Sequence, residues 1–245
     1  MELQQNLEAE SDRWSGLKQR VIYGLIASFV VLFALYSGGM LFIALVLVAA
    51  LQMYSEWTKL TETENQKWQW LGMAYVAAPC ISLLWLRELH MLPGALPLEE
   101  AARYHEPVGL PLVLFLFCII WATDIAAYFV GRKIGGPKLA PGISPGKTWA
   151  GLLGGVAAAG FVGGMLSTLT IYPQTFMGSV TIGVVLALVA QAGDLFESWL
   201  KRRAGVKDSG NVIPGHGGLL DRVDGLTFTA PLFAFLVAMN AEFLG

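Results

Sequence analysis

The feature that most constrains this chain is its succession of long apolar runs separated by short polar segments. About 20 apolar residues suffice to cross a bilayer as a helix, and such a segment must satisfy its own backbone hydrogen bonds. Runs of this kind lie at about 21–36, 40–56, 68–86, 108–130, 148–170, 176–199 and 226–243. Charged residues make up 14% of the 245 and hydrophobic ones 55%, with a mean hydropathy of +0.58. A soluble domain carries roughly 25% charged residues. The sequence therefore predicts an all-α polytopic membrane protein with about seven transmembrane helices, within a range of about six to nine.

The first run follows Arg13, Lys18 and Arg20 and so imitates a signal peptide. No small-x-small cleavage site closes it, which makes it a retained helix. Ser37-Gly38-Gly39 separates it from the second run as a tight hairpin. With a cytoplasmic N-terminus and seven alternating crossings, only Arg87 and Arg103 of the sixteen Lys and Arg residues fall outside. That distribution satisfies the positive-inside rule. It also divides the chain into residues 1–110, a hairpin with a third span, and residues 111–245, a bundle with two basic cytoplasmic loops.

The formal net charge of −2 is no guide to a nucleic-acid partner, because the charges are segregated by position, and none is expected. Cys80 and Cys118 sit within apolar runs and read as small buried hydrophobes. Gly151 with Gly155, and Gly160 with Gly164, form small-xxx-small pairs that permit close helix packing.

The chemistry lies in ionisable groups at membrane depth. An intramembrane carboxylate costs roughly 2.5–3.5 kcal/mol on insertion scales, so its retention points to function. Asp124, Tyr128 and Arg132 share one helical stripe at i, i+4 and i+8, and Gln191, Asp194, Glu197, Ser198 and Lys201 share another. The plain alternative is neutralisation within each helix, Asp124 by Arg132 and Asp194 by Lys201. Asp221 and Asp224 stand three apart and face the same way if the chain is helical from Leu219 onward. Four carboxylates near one level suit a hard divalent cation such as Mg²⁺, which takes oxygen ligands and shares phosphate oxygens. Cys and His at zinc spacing are absent.

The cations of the two basic loops complete a pattern suited to polyphosphate. Candidate phosphate-binding residues are Arg132, Lys147, Lys201, Arg202, Lys207, His216 and Arg222. Gly215, Gly217 and Gly218 can bring backbone N–H groups close to phosphate oxygens, as a nest does. The competing reading of these loops is topological: basic residues orient spans and touch anionic lipid heads. Ser144-Pro-Gly-Lys-Thr148 imitates the tail of a P-loop, but Pro141 stands where that motif needs glycine. His216 is not needed as a general base, because a phosphate nucleophile is already ionised near neutral pH.

The segment Ser198-x-x-Lys-Arg-x4-Lys207-Asp208-x5-Pro214-Gly-His216-Gly-Gly-x-x-Asp221-Arg222-x-Asp224 closely resembles the signature of the phosphatidate cytidylyltransferase, or CDP-diacylglycerol synthase, family. Trp121-Ala-Thr-Asp124, Ala127-Tyr128, Gly131-Arg132, Ser144-Pro-x-Lys147-Thr and Gly193-Asp194-Leu-x-Glu197-Ser198 are similar to that family's other blocks. Gly225 departs from the pattern, which usually carries serine there. The resemblance implies cytidylyl transfer from CTP to phosphatidic acid, with release of pyrophosphate, at the cytoplasmic face of a bacterial inner membrane. It also implies a divalent metal on Asp194 and Asp221, a second monovalent ion such as K⁺, and a homodimer. Asp124 and Asp224 are then expected to support the metal-bearing pair as further catalytic residues. Two rivals remain at this point. One is an ion transporter whose pathway Asp124 and Asp194 would line; the other is an enzyme moving alcohols onto CDP-lipids, whose Asp-Gly-x-x-Ala-Arg block is absent.

Overall fold

The computed structural model describes residues 21–89, 109–167, 175–212 and 217–243, the last four of these without their side chains. Seven helices account for nearly all of it: α1 (Val21–Ser37), α2 (Gly39–Leu60), α3 (Gln66–Arg87), α4 (Gly109–Ile134), α5 (Trp149–Leu166), α6 (Phe176–Arg203) and α7 (Leu220–Phe243). All but α1 are long and apolar enough to cross a membrane. Large apolar side chains such as Leu47, Leu51, Phe161 and Phe235 are exposed on their outer faces. Patches of that kind are a liability in water and are expected against lipid. The protein is an all-α polytopic membrane protein.

The bundle is built by neighbours in the chain. α4 packs on α5, α5 on α6 and α6 on α7, while α3 lies against α2, α4 and α7. The small-xxx-small pairs make the first two contacts close. A Cβ on Gly151 would stand 2.8 Å from the Ala127 carbonyl of α4, and one on Gly155 the same distance from that of Thr123. Gly160 and Gly164 turn instead to Val180, Val184 and Phe176 of α6. Each helix starts on a side-chain acceptor where the sequence provides one: Asn65 caps α3, Thr148 caps α5 and Thr175 caps α6. Such caps satisfy backbone donors left open in the first turn.

Gly38 alone separates α1 from α2, and its φ of 63° is left-handed. The guanidinium of Arg87, at the end of α3, is buried against it and donates from Nε to the Leu35 carbonyl (2.7 Å) and from Nη2 to that of Tyr36 (3.1 Å). Those carbonyls end α1 without helical partners. A Cβ on Gly38 would fall 2.5 Å from the Arg87 Nη2. Arg87, read from sequence as a loop charge, is therefore the clasp of the helix junction.

Two boundaries differ from the hydropathy reading for physical reasons. The segment after α4 is not all loop: Lys138–Ala140 (β1) pairs antiparallel with Ser144–Thr148 (β2) around Pro141 and Gly142. α7 begins at Leu220 and not at Leu226, so Asp221, Arg222 and Asp224 are helical. Its first turn is polar yet stable because a carboxylate from another helix caps its open N–H groups.

Candidate active site

That cap comes from Glu56, near the end of α2. It is fully buried and accepts from Leu219 N (2.8 Å) and Gln52 Nε2 (2.9 Å) on Oε1, and from Leu220 N (2.8 Å) and Ser209 Oγ (3.0 Å) on Oε2. A carboxylate at a helix N-terminus is favoured both by the free donors and by the helix dipole. Sequence reasoning missed Glu56, which stood at the end of an apolar run. The available signal was an acidic residue at i+4 from Gln52 beside a span.

Glu56 fixes the turn that carries Asp221. Asp221 Oδ2 accepts from Ser209 N (2.8 Å) and Gly218 N (2.8 Å) and shares the single Ser209 hydroxyl hydrogen (2.9 Å) with Glu56 Oε2, while Oδ1 accepts from Lys201 Nζ at 2.6 Å. Lys201 also reaches Glu197 Oε2 at 3.1 Å. The alternative in which Lys201 neutralises Asp194 is thus not the arrangement found. Gly218 has no room for a side chain: a Cβ would sit 2.1 Å from Ser209 Oγ and 2.6 Å from Glu56 Oε2. Gly217 adopts φ 80° beside Asp221. Pro214, Gly215 and His216 lie outside the described residues.

A second group lies one turn deeper. Asp194 of α6 forms an ion pair with Lys147 of β2 and accepts from Ser198 Oγ at 3.3 Å. Lys147 also reaches Gln191 Oε1 at 3.4 Å. The β-hairpin is what delivers Lys147: pairing with β1 carries the chain back across the bundle, and Thr148 then caps α5. Asp124 of α4 and Asp224 of α7 lie within electrostatic reach of Asp194 and of Lys147. Gly193 allows this approach, because a Cβ there would meet the Asp224 carbonyl at 2.5 Å. Thr227 Oγ1 donates to the Asp224 carbonyl at 2.7 Å and lies 3.0 Å from Tyr75 Oη, a hydroxyl pair that ties α7 to α3.

Glu197 joins the two groups. It lies within electrostatic reach of Asp221 and Asp224, and its buried Oε1 has no hydrogen-bond partner among the described residues. A buried oxygen without a partner calls for a proton, a water or an ion to complete it. The donors are all hard oxygens, which suits Mg²⁺. In this arrangement Asp194 and Asp221 each hold a lysine, and among the described residues no three acidic, His or Cys side chains converge on one point. Of the Asp221 oxygens, Oδ2 is filled by three donors, so only Oδ1 can turn to a metal.

The remaining candidates border this region. Arg132 Nη1 donates to Tyr128 Oη at 2.7 Å and does not pair with Asp124. Arg202 donates to the carbonyls of Ile143 (3.2 Å) and Val206 (3.1 Å), joining the two basic loops. Arg203 pairs with Glu64 at 2.6 Å and stacks on Trp68 and Trp199. Lys207 is exposed, and Arg222 lines a cavity with Asp124 and Asp224.

Fold and site together define a polytopic membrane protein in which intramembrane carboxylates and loop cations meet at one end of the bundle. The cytidylyltransferase family model matches residues 18–101 and 94–240, so the chain belongs to that family. A phosphatidate cytidylyltransferase of Brucella suis is 38% identical over 259 residues, covering 93% of this chain and 96% of the relative. One from Rickettsia bellii is 36% identical over 236 residues, with 93% and 94% covered. One from Rickettsia prowazekii is 35% identical over 220 residues, with 87% and 89% covered.

Proposed function

We propose that this protein transfers the cytidylyl group of CTP to phosphatidic acid, giving CDP-diacylglycerol and pyrophosphate, at the cytoplasmic face of a bacterial inner membrane. The observation that carries the reading is that Asp124, Asp194 and Asp224, from three helices, lie within electrostatic reach of Lys147 beside a cavity bordered by Arg222. Family membership and the names of the relatives support the same chemistry.

In this reaction an oxygen of the lipid phosphate attacks the α-phosphorus of CTP. The bond to the bridging oxygen breaks, and that oxygen leaves with pyrophosphate. The nucleophile is already an anion, so no base must remove a proton. The obstacle is repulsion between two polyanions, and catalysis consists of holding them in line and neutralising them. Lys147 and Arg222 serve the reacting phosphates, and Lys201 is held ready beside Asp221. Arg132, Arg202, Lys207 and His216 bind the outer phosphates of the nucleotide. Gly215 and Gly217 lie against it. The N–H of Gly218 is committed to Asp221, so its part is to hold the turn.

Asp194 and Asp221, with Asp124 and Asp224 in support, would hold Mg²⁺, which would supply charge neutralisation to the pyrophosphate leaving group. K⁺ as a second ion and assembly as a homodimer belong to the same proposal. Purified protein given CTP and phosphatidic acid should release pyrophosphate and form a CDP-lipid only with a divalent ion. Ion flux into liposomes without nucleotide, and no CDP-lipid, would favour a transporter.

A further inference from the structure

Three helices leave a gap where the rest of the bundle packs closely. α1, α4 and the start of α7 line a partly open cleft of about 390 Å³, which falls within the range of ligand-binding clefts. Gly24, Ala27, Ser28, Val31 and Leu32 of α1 line it. Their spacing is that of a single helical face, and it spans about 12 Å at 1.5 Å per residue. Phe117 and Ile120 of α4 and Leu226 of α7 continue the apolar wall. Polar groups in the lining are few: besides Ser28, they are Asp124, Asp224 and Arg222, which belong to the carboxylate site already described.

We propose that this cavity is the subsite for an acyl chain of the phosphatidate substrate, and that Gly24, Ala27 and Ser28 of α1 set its width. The proposal rests on the function proposed above. An apolar cleft continuous with a cationic and carboxylate-lined end matches a molecule with a phosphate head and a hydrocarbon tail. An apolar cleft left unfilled forfeits packing contacts, and an acyl chain arriving from the bilayer regains them as van der Waals contact, with no transfer from water to drive it. Residues without bulk on one face of α1 are what keep that space open. Larger side chains at Ala27 or Ser28 would fill it from α1 while leaving the carboxylate cluster untouched.

The test compares two lipids. With Ala27→Phe and Ser28→Trp variants, turnover of dioleoyl phosphatidate should fall about tenfold, an effect typical of a changed apolar pocket. Turnover of dihexanoyl phosphatidate, and the KM for CTP, should stay within about twofold of the unaltered protein. Equal losses on both lipids, or no loss on either, overturn the proposal. A second measurement needs no variant. Phosphatidate carrying a diazirine in its acyl chain should label the 21–37 segment of the unaltered protein. Dioleoyl phosphatidate should displace that label, and dioleoyl phosphatidylcholine should not. Absence of label from 21–37, or equal displacement by both lipids, overturns it. Labelling without CTP turnover would refute the proposed function and leave the cleft standing; turnover without labelling of 21–37 would do the reverse.

Discussion

Removal of Glu56 tests whether a buried carboxylate on α2 organises the start of α7. Its four hydrogen bonds include the backbone N–H groups of Leu219 and Leu220 and the hydroxyl of Ser209, which in turn binds Asp221. Losing a helix cap costs about 0.5–2 kcal/mol, and each buried donor left unsatisfied costs about 1–3 kcal/mol. These overlap, because the cap is made of the same donors, so Glu56→Ala should cost about 3–4 kcal/mol. Glu56→Gln keeps one acceptor oxygen but turns an NH₂ towards donors, and should cost about half as much. At roughly 2–4 °C per kcal/mol for a chain of this size, the alanine variant should unfold about 6–16 °C lower in detergent. Turnover measured well below the transition should fall too, because the turn holding Asp221 loses its anchor. An unchanged melting temperature together with full turnover in Glu56→Ala would refute the reasoning.

Other substitutions probe separate parts of the account. Lys147→Met leaves Asp194 without its ion pair and should cut turnover by about a hundredfold (some 2.7 kcal/mol), with Lys147→Arg restoring part of it; equal activity of all three proteins would contradict a role at the phosphates. Gly193→Ala places a Cβ 2.5 Å from the Asp224 carbonyl, so it should spread α6 from α7 and lower kcat more than the melting temperature. Gly155→Leu drives a side chain into the α4 backbone near Thr123 and should destabilise by about 1–3 kcal/mol or more, read as a lower midpoint in thermal unfolding. Gly225→Ser should be tolerated with near-full activity, because a Cβ there meets Ala190 and Ile120 at 3.4–3.5 Å, an ordinary contact.

Much of the architecture was legible because membrane helices announce themselves by length and hydropathy. The close α4–α5 contact was legible from Gly151 and Gly155, and the polar stripes from the spacing of Asp124 with Tyr128 and of Asp194 with Ser198. Non-local partnership was not legible. Glu56 meets Leu219 and Leu220 across 163 and 164 positions, and nothing in a 22-residue apolar helix marks its one buried acid as another helix's cap. The β-hairpin hid behind Pro141, Pro145 and the glycines between, which read as loop, although it is what brings Lys147 to Asp194. The early start of α7 was concealed by Asp221, Arg222 and Asp224, whose charges cut short an apolar run that the backbone does not respect. The intrahelical pair weighed for Asp194 gave way to Lys147 on another element, which only the tertiary structure supplies, and Arg132 turned from Asp124 to Tyr128.

The most direct measurement of the central claim is turnover of radiolabelled CTP by the purified protein with phosphatidic acid, with and without Mg²⁺, beside an Asp194→Asn variant shown to fold. The account predicts CDP-diacylglycerol and pyrophosphate in equal amounts with the metal, none without it, and background turnover in the variant. Failure to form a CDP-lipid under any divalent ion, or full activity in Asp194→Asn, would contradict it.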